Sequence, residues 1–556
     1  MPDILSLKEN NCKDCYKCIR TCSVKAISFA HNQAQILPDE CILCGSCFVV
    51  CPQKAKQVRS DVQIAKNAIA AGKRVVCSLA PSFIADFPVH DIADMEVALQ
   101  ALGFAAAEET AVGAQLVSDA YAQIMREQKQ SVIISSCCPS INLLVQKYYP
   151  TMLPYLAKVP TPAQAHCQLL KVADPDCVTV FIGPCIAKKS EADHSDAMDA
   201  ALTYDELRAW MAESNVQLPR ADGVTQPGKR SRLYPATGGI LRATEEVTGY
   251  RRVAIDGVEN CRMVFNELER GTMSHVFIEM SACEGSCING PCIREHRERR
   301  LKGALRVEAY AGDERFPQPA ETVPLQCSFS FLGGKTVHIG GEAIQAMLVK
   351  MGKTSPEKEL NCGSCGYPTC RDKAVAILEG KAEMEMCLPF LKEKAESFSD
   401  TIIHNTPNAI FVMDESLVVQ QINRAAVKLF NLKEADDILH EHVVRILNPE
   451  PYQNAVTYAM NSIGACRYLA EYQLYVEETI LYDRQYHVVI AILRDVTERE
   501  TMRMKDDQLR NQTVETADRV IDKQMRVVQE IASLLGETTA ETKLALSRLK
   551  DAMRRE

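Results

Sequence analysis

The sequence predicts a multidomain protein that combines α/β and α+β domains. Its 556 residues are enough for roughly four domains of about 150 residues each. Cysteine-dense segments at the start of the chain and near residue 365 flank a region in which apolar, β-branched runs alternate with helical patterns. A charged, helical segment closes the chain. We therefore expect five parts, at residues 1–60, 61–345, 346–390, 391–500 and 501–556.

Charge and composition narrow the class of protein. The net charge of −9 argues against nucleic acids and anionic membranes as partners. We find no apolar run long enough to cross a bilayer, and the first residues lack the basic and apolar regions of a secretory signal. The 24 cysteines recur as C-x2-C pairs, a pattern typical of metal binding rather than of disulfides. These features predict a protein of a reducing, anaerobic cytoplasm.

The first 60 residues contain one cysteine pattern twice. Each copy has the spacing C-x2-C-x2-C-x3-C, and Pro52 follows the second copy. The pattern resembles the bacterial two-cluster ferredoxin, in which the fourth cysteine of each run binds the other [4Fe–4S] cluster. Zinc is the alternative for C-x2-C pairs, but the duplicated spacing favours clusters. The resemblance implies one cluster on Cys12, Cys15, Cys18 and Cys51, and a second on Cys41, Cys44, Cys47 and Cys22.

Residues 61–345 are predicted to form an α/β domain with its functional loops at the ends of strands. The runs Arg74 to Phe83, Ser131 to Pro139 and Val178 to Cys185 are rich in β-branched residues. Each run ends at a loop that contains proline or cysteine. Such runs indicate buried strands, and the loops that follow them are the usual place for functional side chains.

Three separated motifs in this region resemble the active-site signatures of the iron-only, or [FeFe], hydrogenases. They are SSCCPS (Ser135 to Ser140), GPCIAKKSE (Gly183 to Glu191) and EMSACEGSCING (Glu279 to Gly290). The resemblance implies an H-cluster: a [4Fe–4S] cube joined to a two-iron centre that carries CO, cyanide and a bridging dithiolate, and that splits or forms H2. The implied cube ligands, the last of which bridges to the two-iron centre, are Cys138, Cys185, Cys283 and Cys287.

The same resemblance implies roles for residues around the two-iron centre. Cys137 matches the family's proton-relay thiol, whose pKa the surroundings can move towards neutrality. Lys188 matches a lysine that donates a hydrogen bond to a cyanide, and Glu191 matches a carboxylate further along the proton path. A lone lysine or glutamate is usually a surface residue, so these two depend on their fixed offsets within the second motif. Thr161 and Pro162 fall where the family has Ser-Pro near a cyanide.

Other positions match the family less closely. Thr237 to Gly239 resembles its TGG loop, where glycine permits close backbone approach. Gly183 and Ser281 stand where efficient hydrogenases have methionines against the two-iron centre, and Ile141 stands where they have tryptophan. We expect a void at Gly183 and a hydroxyl at Ser281, hence a wetter pocket with a shifted redox balance. These changes are similar to those of sensory hydrogenases, whereas the retained Cys137 leaves appreciable turnover open.

A third cysteine module has the spacing C-x2-C-x4-C-x16-C. It resembles a small [4Fe–4S] domain of redox and corrinoid-linked proteins, with zinc as the alternative. We expect its cluster to lie between the H-cluster domain and the segment that follows, as an electron exit or as a reporter of redox state. The implied ligands are Cys362, Cys365, Cys370 and Cys387.

The segment from about 395 to 498 resembles a PAS domain, a small α/β module for sensing and dimerisation. Thr406 to Phe430 reads as strand, turn, strand and helix, and Val488 to Glu500 as a closing strand that ends in Asp-Val-Thr. His404 and Cys466 are isolated, so a structural role is favoured over cofactor binding.

The tail is predicted to be a helix with a coiled-coil seam, or alternatively a helix hairpin or a helix that packs on a partner. Gly536 and several threonines weaken the seam. The seam residues, spaced alternately by 4 and 3, are Ile521, Met525, Val528, Ala532, Leu535, Thr539, Thr542, Leu546, Leu549 and Met553.

Three functions compete. The leading hypothesis is a sensory [FeFe] hydrogenase that reversibly activates H2 and relays its state through three accessory [4Fe–4S] clusters and the PAS domain. Its expected partners are H2 and protons, a carrier such as ferredoxin, hydrogenase maturation proteins, a second copy bound through the PAS domain and tail, and a separate signalling protein such as a kinase or phosphatase. The second hypothesis is a catalytic hydrogenase that exchanges electrons with ferredoxin. The third is an iron–sulfur scaffold without a two-iron centre.

Overall fold

The computed structural model describes residues 3–8, 11–219, 228–271, 273–293, 300–333, 339–535 and 539–553. The chain forms two compact units, Met1–Phe390 and Leu391–Glu556. It combines parallel sheets covered by helices, small cysteine-bearing modules and an antiparallel sheet, so the predicted multidomain α/β and α+β class is confirmed. None of its described helices has both the length and the apolar composition needed to cross a bilayer.

Strands and helices alternate along most of the first unit. Its strands are β1 (Leu5–Leu7), β2 (Ile27–Ala30), β3 (Gln33–Ile36), β4 (Lys56–Val58), β5 (Val75–Leu79), β6 (Ala106–Glu109), β7 (Val132–Ile134), β8 (Val178–Gly183), β9 (Ala200–Thr203), β10 (Arg251–Asp256) and β11 (Val276–Ser281). Its helices are α1 (Lys17–Thr21), α2 (Ser46–Val49), α3 (Val62–Ala70), α4 (Phe83–Asp86), α5 (Ile92–Ala101), α6 (Ala111–Glu127), α7 (Pro139–Tyr148), α8 (Pro162–Ala173), α9 (Lys188–Asp193), α10 (Tyr204–Glu213), α11 (Gly239–Ala243), α12 (Val258–Glu269), α13 (Arg300–Tyr310), α14 (Gly341–Lys350) and α15 (Cys370–Leu378). Short 3₁₀ helices cover Pro150–Tyr155, Arg230–Leu233, Ser286–Asn289, Pro356–Lys358 and Met384–Met386.

Two parallel sheets form the centre of the first unit. One has the strand order β6-β5-β8-β9 and the other β10-β11-β7. Every residue of β5, β7 and β8 is buried, as expected for parallel strands that are covered on both faces. These three strands lie within the runs that the sequence marks as buried, and each is followed by the expected loop.

The N-terminal module consists of two antiparallel strand pairs with two short helices. β1 pairs with β4, and β2 and β3 form a hairpin. Helices α1 and α2 begin directly after residues in the left-handed region, Tyr16 (φ 53°) and Gly45 (φ 75°). At Gly45 an added Cβ would also lie 2.5 Å from Pro291. Both the backbone angle and the close approach therefore require glycine at this position.

The third cysteine module packs against the N-terminal module. Ile19 and Phe29 share one apolar core with Tyr367. The Phe29 N–H donates to the Lys381 carbonyl at 2.8 Å, and the Lys381 ammonium lies 2.9 Å from the Glu40 carboxylate. The structure places this module beside the first 60 residues. Sequence order does not reveal this contact, because Glu40 and Lys381 are 341 positions apart.

The second unit begins with an antiparallel sheet of the predicted PAS type. Its order is β13-β12-β16-β15-β14, built from β12 (Ala409–Asp414), β13 (Val419–Ile422), β14 (Ser462–Leu469), β15 (Leu474–Asp483) and β16 (Val488–Asp495). Alternate residues of β12 are buried, so one face of the sheet holds the core. The accompanying helices are α16 (Leu388–Asn405), which runs across the boundary between the units in sequence, α17 (Arg424–Leu429), α18 (Glu450–Tyr458) and the 3₁₀ helices Ala435–Asp437 and Val443–Arg445.

The tail forms a helix hairpin rather than one continuous coiled-coil seam. It consists of α19 (Thr497–Leu535) and α20 (Thr539–Met553). Lys550 Nζ lies 3.5 Å from Asp518 Oδ1, and Leu549 and Met553 line one groove with Val520. The end of α20 therefore folds back on the middle of α19, which is the hairpin alternative. Four predicted seam side chains lie outside the described ones: Ala532, Leu535, Thr539 and Thr542.

Candidate functional site

Loops from the carboxyl ends of four parallel strands enclose one cavity in the first unit. Strands β5 and β8 of one sheet and β7 and β11 of the other lead into it. The cavity has a volume of about 110 Å³. All three sequence motifs, at residues 135–140, 183–191 and 279–290, contribute residues to its wall. The carboxyl ends of strands are the usual place for ligand sites in α/β proteins.

Four of the predicted cluster ligands converge on this cavity. Burial raises the pKa of Cys185 to about 12 and that of Cys287 to about 12, and the thiol of Cys138 adds to both shifts. Thiols that raise one another's pKa in a desolvated cavity are a set of donors that bound iron would stabilise as thiolates. The donor number and type fit a [4Fe–4S] cube. The four predicted ligands, all in the wall of the cavity, are Cys138, Cys185, Cys283 and Cys287.

Cys137 lines the same cavity beside its predicted cluster-binding neighbour. Its Sγ lies 3.2 Å from the hydroxyl of Tyr121, a fully buried residue on α6. Burial raises the pKa of Cys137 to about 12, although the Tyr121 hydrogen bond and the charge of Lys188 oppose the rise. Among the described residues, burial therefore keeps the thiol of Cys137 protonated.

Lys188 projects into the cavity from the first turn of α9. Its ammonium donates to Thr161 Oγ1 at 2.8 Å and to Glu191 Oε2 at 2.5 Å. Burial alone would lower the pKa of Lys188, but the Glu191 carboxylate and the thiol of Cys185 raise it. Thr161 and Glu191 do not line the cavity. They accept hydrogen bonds from the Lys188 ammonium and so fix its position. Pro162, the first residue of α8, does line it.

Two expectations about the missing methionines have different outcomes. The predicted void at Gly183 was wrong, because an added Cβ there would lie 2.6 Å from the Phe181 ring and 3.1 Å from Ala80. Phe181 lines the cavity and occupies the space beside Gly183, which itself does not line it. The hydroxyl at Ser281 does line the cavity, but it is paired with the Ser286 hydroxyl at 2.8 Å.

Sequence analysis missed Glu279 as a site residue. It is 2% exposed, lies on β11 and lines the cavity. Its carboxylate accepts from the N–H groups of Gly238 (2.8 Å) and Leu241 (3.1 Å), so the TGG loop holds it in place. Burial raises the pKa of Glu279 to about 7. The available signal was an acidic residue inside the apolar run Val276–Ser281, since acidic side chains are rarely buried without a role.

The N-terminal cysteines form two sets, each with three members from one run and one from the other. In the second set, burial and the thiols of Cys44, Cys41 and Cys22 raise the pKa of Cys47. Cys44 also lines the central cavity, so the second set adjoins it. The crossed pairing is the one that the ferredoxin resemblance implies. The first set, which lines a cavity of its own, is Cys12, Cys15, Cys18 and Cys51.

The four cysteines of the third module line another cavity, together with two buried lysines. Burial lowers the pKa of Lys373 to about 8, while the thiols of Cys365 and Cys387 oppose the change. Among the described atoms, the buried hydroxyl of Tyr367 has no hydrogen-bond partner. Since buried hydroxyls are normally paired, this one fits a bound group with acceptor atoms, such as the sulfides of a cluster. The lining residues concerned are Cys362, Cys365, Cys370, Cys387, Lys353, Lys373 and Tyr367.

Family models match four regions of the chain. The model "Iron only hydrogenase large subunit, C-terminal domain" matches residues 73–291, and the "4Fe-4S binding domain" matches residues 34–57. An Fe-S cluster model matches residues 359–389, and the "PAS fold" model matches residues 397–466.

Individual relatives are distant and only partly covered. Iron hydrogenase 1 of Clostridium pasteurianum is 25% identical over 370 residues, which are 51% of this chain and 64% of that protein. The cytosolic Fe-S cluster assembly factor NAR1 of Eremothecium gossypii is 27% identical over 212 residues, 35% of this chain and 47% of that protein. A solved structure of the [FeFe]-hydrogenase HydA1 from Chlamydomonas reinhardtii aligns with a TM-score of 0.40 at 18% identity, over 50% of this chain and all of that one. The chain thus spans less than two thirds of the length of these two curated relatives.

The hydrogenase match coincides with the two parallel sheets and the cavity between their strand ends. The PAS match begins in α16 and covers β12, β13 and the first part of β14 in the antiparallel sheet of the second unit. Residues 73–291 therefore form a domain of the iron-only, or [FeFe], hydrogenase family, and the same chain carries a PAS fold at residues 397–466.

Proposed function

We propose that this chain is a hydrogen-sensing [FeFe] hydrogenase. When bound, the H-cluster supplies the reversible cleavage of H2 into two protons and two electrons. The four cavity cysteines would hold its cube, and Cys287 would bridge to the two-iron centre. The observation that carries the proposal is one cavity lined together by Cys137, Cys138, Cys185, Cys283, Cys287 and Lys188.

The other residues of the cavity orient the bound group and exclude water. Lys188, held by Thr161 and Glu191, presents a buried cation to an anionic ligand such as cyanide. Phe181 covers the wall at Gly183 with an apolar ring. The thiol of Cys137 keeps a proton at the wall of the cavity, where a relay to the two-iron centre needs one.

The placement of the accessory cysteines supports an electron route away from the cavity. Cys44 of the second N-terminal set lines the cavity itself. Cys22 of the same set contacts the core shared with Cys365 of the third module. We propose that three [4Fe–4S] clusters occupy these sets and pass electrons between the H-cluster and the third module.

The chain order beyond the third module favours a sensor. Helix α16 begins directly after the predicted ligand Cys387 and ends shortly before the first PAS strand, β12. A change in the redox state at this ligand would therefore act at the start of the segment that leads into the PAS domain. We propose that a homodimer formed through the PAS domain and tail acts on a separate signalling protein in the cytoplasm.

Two other functions are distinguishable from the sensor. A catalytic hydrogenase that feeds ferredoxin would show fast turnover that is independent of the second unit. A scaffold without a two-iron centre is suggested by the relatives that are named as Fe–S cluster assembly factors. Cys137 and Lys188 in the cavity wall argue against the scaffold, because a cube alone needs neither side chain.

Infrared spectroscopy of the full chain, matured anaerobically, tests the proposal. Under argon we expect bands of iron-bound CO and cyanide, and we expect them to shift under H2. Absence of these bands after full maturation would refute a hydrogenase function. Bands that respond to H2, together with a tail conformation and partner affinity that are identical under argon and H2, would refute the sensor and leave the catalyst.

A further inference from the structure

A chain of buried hydrogen bonds leaves the central cavity at a point remote from Cys137 in sequence. It starts at Thr110, which lines the cavity directly before α6. The Thr110 hydroxyl lies 2.8 Å from the Ser78 hydroxyl, and the Ser78 hydroxyl lies 2.8 Å from His166 Nδ1. His166 Nε2 in turn lies 3.5 Å from Glu108 Oε2.

The burial of the side chains changes sharply along this hydrogen-bonded path. Ser78 and His166 are fully buried and Thr110 is almost so, whereas the Glu108 side chain is 50% exposed. The Nε2 atom of His166 is buried without a hydrogen-bond partner among the described residues, and the nearest carboxylate stands slightly beyond hydrogen-bond length. One polar path thus joins the cavity to solvent.

The fold brings these four side chains together from β5, β6, α8 and the position directly before α6. Ser78 and Glu108 lie on the paired strands β5 and β6, and His166 lies on α8. Gly113 on α6 lets that helix approach α8, since an added Cβ would lie 2.2 Å from the Pro162 carbonyl and 2.8 Å from His166 Cβ. The imidazole is therefore fixed against Ser78 by helix packing.

We propose that Thr110, Ser78, His166 and Glu108 form a proton-relay path between the cavity and solvent. The inference rests on the proposed function, because the path has protons to transfer only if a reaction in the cavity releases or consumes them. It is separate from the thiol of Cys137, and none of its members is among the predicted cluster ligands.

Each transfer along the path conserves protons. A proton arriving from the cavity binds the Thr110 oxygen while the Thr110 hydroxyl proton passes to Ser78. The Ser78 proton passes to His166 Nδ1, which makes the ring an imidazolium. The Nε2 proton then passes to the Glu108 carboxylate and on to water. Charged groups that face this end are Glu108 itself and Arg74, whose charge acts on Glu108.

The test uses the full chain after anaerobic maturation, with T110V, S78A and H166Q as variants. T110V and S78A each remove one hydroxyl, and H166Q keeps a polar side chain that does not take up a proton. Thr110→Ser keeps the hydroxyl as a conservative rescue. T244V is the matched control, because Thr244 is equally buried and its hydroxyl donates only to the carbonyl of Ile240 in its own helix.

Two readouts are needed. The first is the rate at which D2 exchanges with solvent protons. We expect a fall of about a hundredfold in T110V, S78A and H166Q, the lower end of what a positioned proton donor contributes, and near-wild-type rates in T110S and T244V. The second is the infrared difference between H2 and argon. We expect imidazole bands in the wild type and their loss in both H166Q and S78A.

The outcomes separate the relay from the proposed function. If the wild type lacks CO and cyanide bands, the proposed function fails. If those bands are intact and any of T110V, S78A or H166Q exchanges D2 within twofold of the wild type, the relay is overturned. Imidazole difference bands that persist in S78A overturn it equally, because a purely structural Ser78 would leave them in place.

Discussion

Glu279 shows how strongly one residue's chemistry depends on where the chain places it. An ordinary glutamate has a pKa near 4.3. Burial raises the pKa of Glu279 to about 7, despite the hydrogen bonds from Gly238 and Leu241. The carboxyl group of Glu279 therefore titrates within the physiological pH range. Glu279 lies in the wall of the cavity and is far in sequence from the residues of the Thr110 path.

This shift predicts a pH dependence that E279Q should reduce. The folded state holds a proton on Glu279 between about pH 4.5 and 7, where the unfolded chain has released it. This contribution to stability is fully present below the unfolded pKa and is lost as pH rises through about 7, by up to about 3 kcal/mol. We expect the midpoint of thermal unfolding to fall less steeply between pH 5 and 7 in E279Q than in the wild type.

The slope of the unfolding midpoint against pH tests this prediction, whereas the midpoint at a single pH does not. The reason is that the amide of E279Q also loses one of the two backbone hydrogen bonds at every pH. The exposed Glu284 of the same motif offers the matched control, E284Q, which should keep the wild-type slope. An E279Q slope equal to that of the wild type would mean that Glu279 is ionised in the folded protein throughout this range.

At the residue scale, the sequence predicted site residues that belong to one motif better than site residues that come together only in the folded protein. The spacing of cysteines indicated the sets that the structure brings together, because thiolates on one tight loop are specified locally. Gly183 was misinterpreted, because the Phe181 ring that fills its space belongs to the same strand but turns into the cavity. Glu279 was overlooked because the loop residues that donate hydrogen bonds to it lie about 40 positions away in the sequence.

Among the elements, helices α6 and α8 pack closely together at Gly113, beside the Thr110 path. This packing depends on Gly113, which leaves no room for a side chain beneath Pro162 and His166. Interiors are packed tightly, so an added methyl group must push the helices apart or distort them.

We predict that G113A lowers the free energy of unfolding of the first unit by about 1–3 kcal/mol, the usual cost of overpacking. The measurement is thermal or denaturant unfolding of the full chain followed by a probe of the first unit, such as cluster absorbance. G341A is the matched control, because nothing lies within 4 Å of an added Cβ at Gly341 on α14. A stability of G113A equal to that of G341A would show that the two helices can separate at no cost.

Element types were predictable where hydrophobic periodicity dominates, and element partners were not. The buried runs before Phe83, Pro139 and Cys185 became β5, β7 and β8, since a strand covered on both faces has a distinct composition. The tail was helical as predicted, but the apolar residues spaced by 4 and 3 belong to a helix hairpin. A seam of this spacing on one helix does not specify whether its partner helix belongs to another chain or to the same one.

For the whole molecule, the division into Met1–Phe390 and Leu391–Glu556 places all predicted cluster ligands in the first unit. We predict that deletion of residues 391–556 leaves the iron content, the CO and cyanide bands and the turnover of the full chain unchanged. It should also convert a dimer to a monomer by light scattering, because the PAS domain and tail are the proposed dimer contacts. Loss of the infrared bands would contradict this independence of the first unit.

The shared core of the N-terminal and third modules has a consequence for synthesis. The first 60 residues leave the ribosome early, yet Ile19, Ile27 and Phe29 are completed only by Tyr367 and Met386. At ordinary elongation rates the interval is on the order of half a minute. During this time the N-terminal cysteines are presented on an unfinished surface, so cluster insertion and protection from oxygen would have to begin before the chain itself is complete.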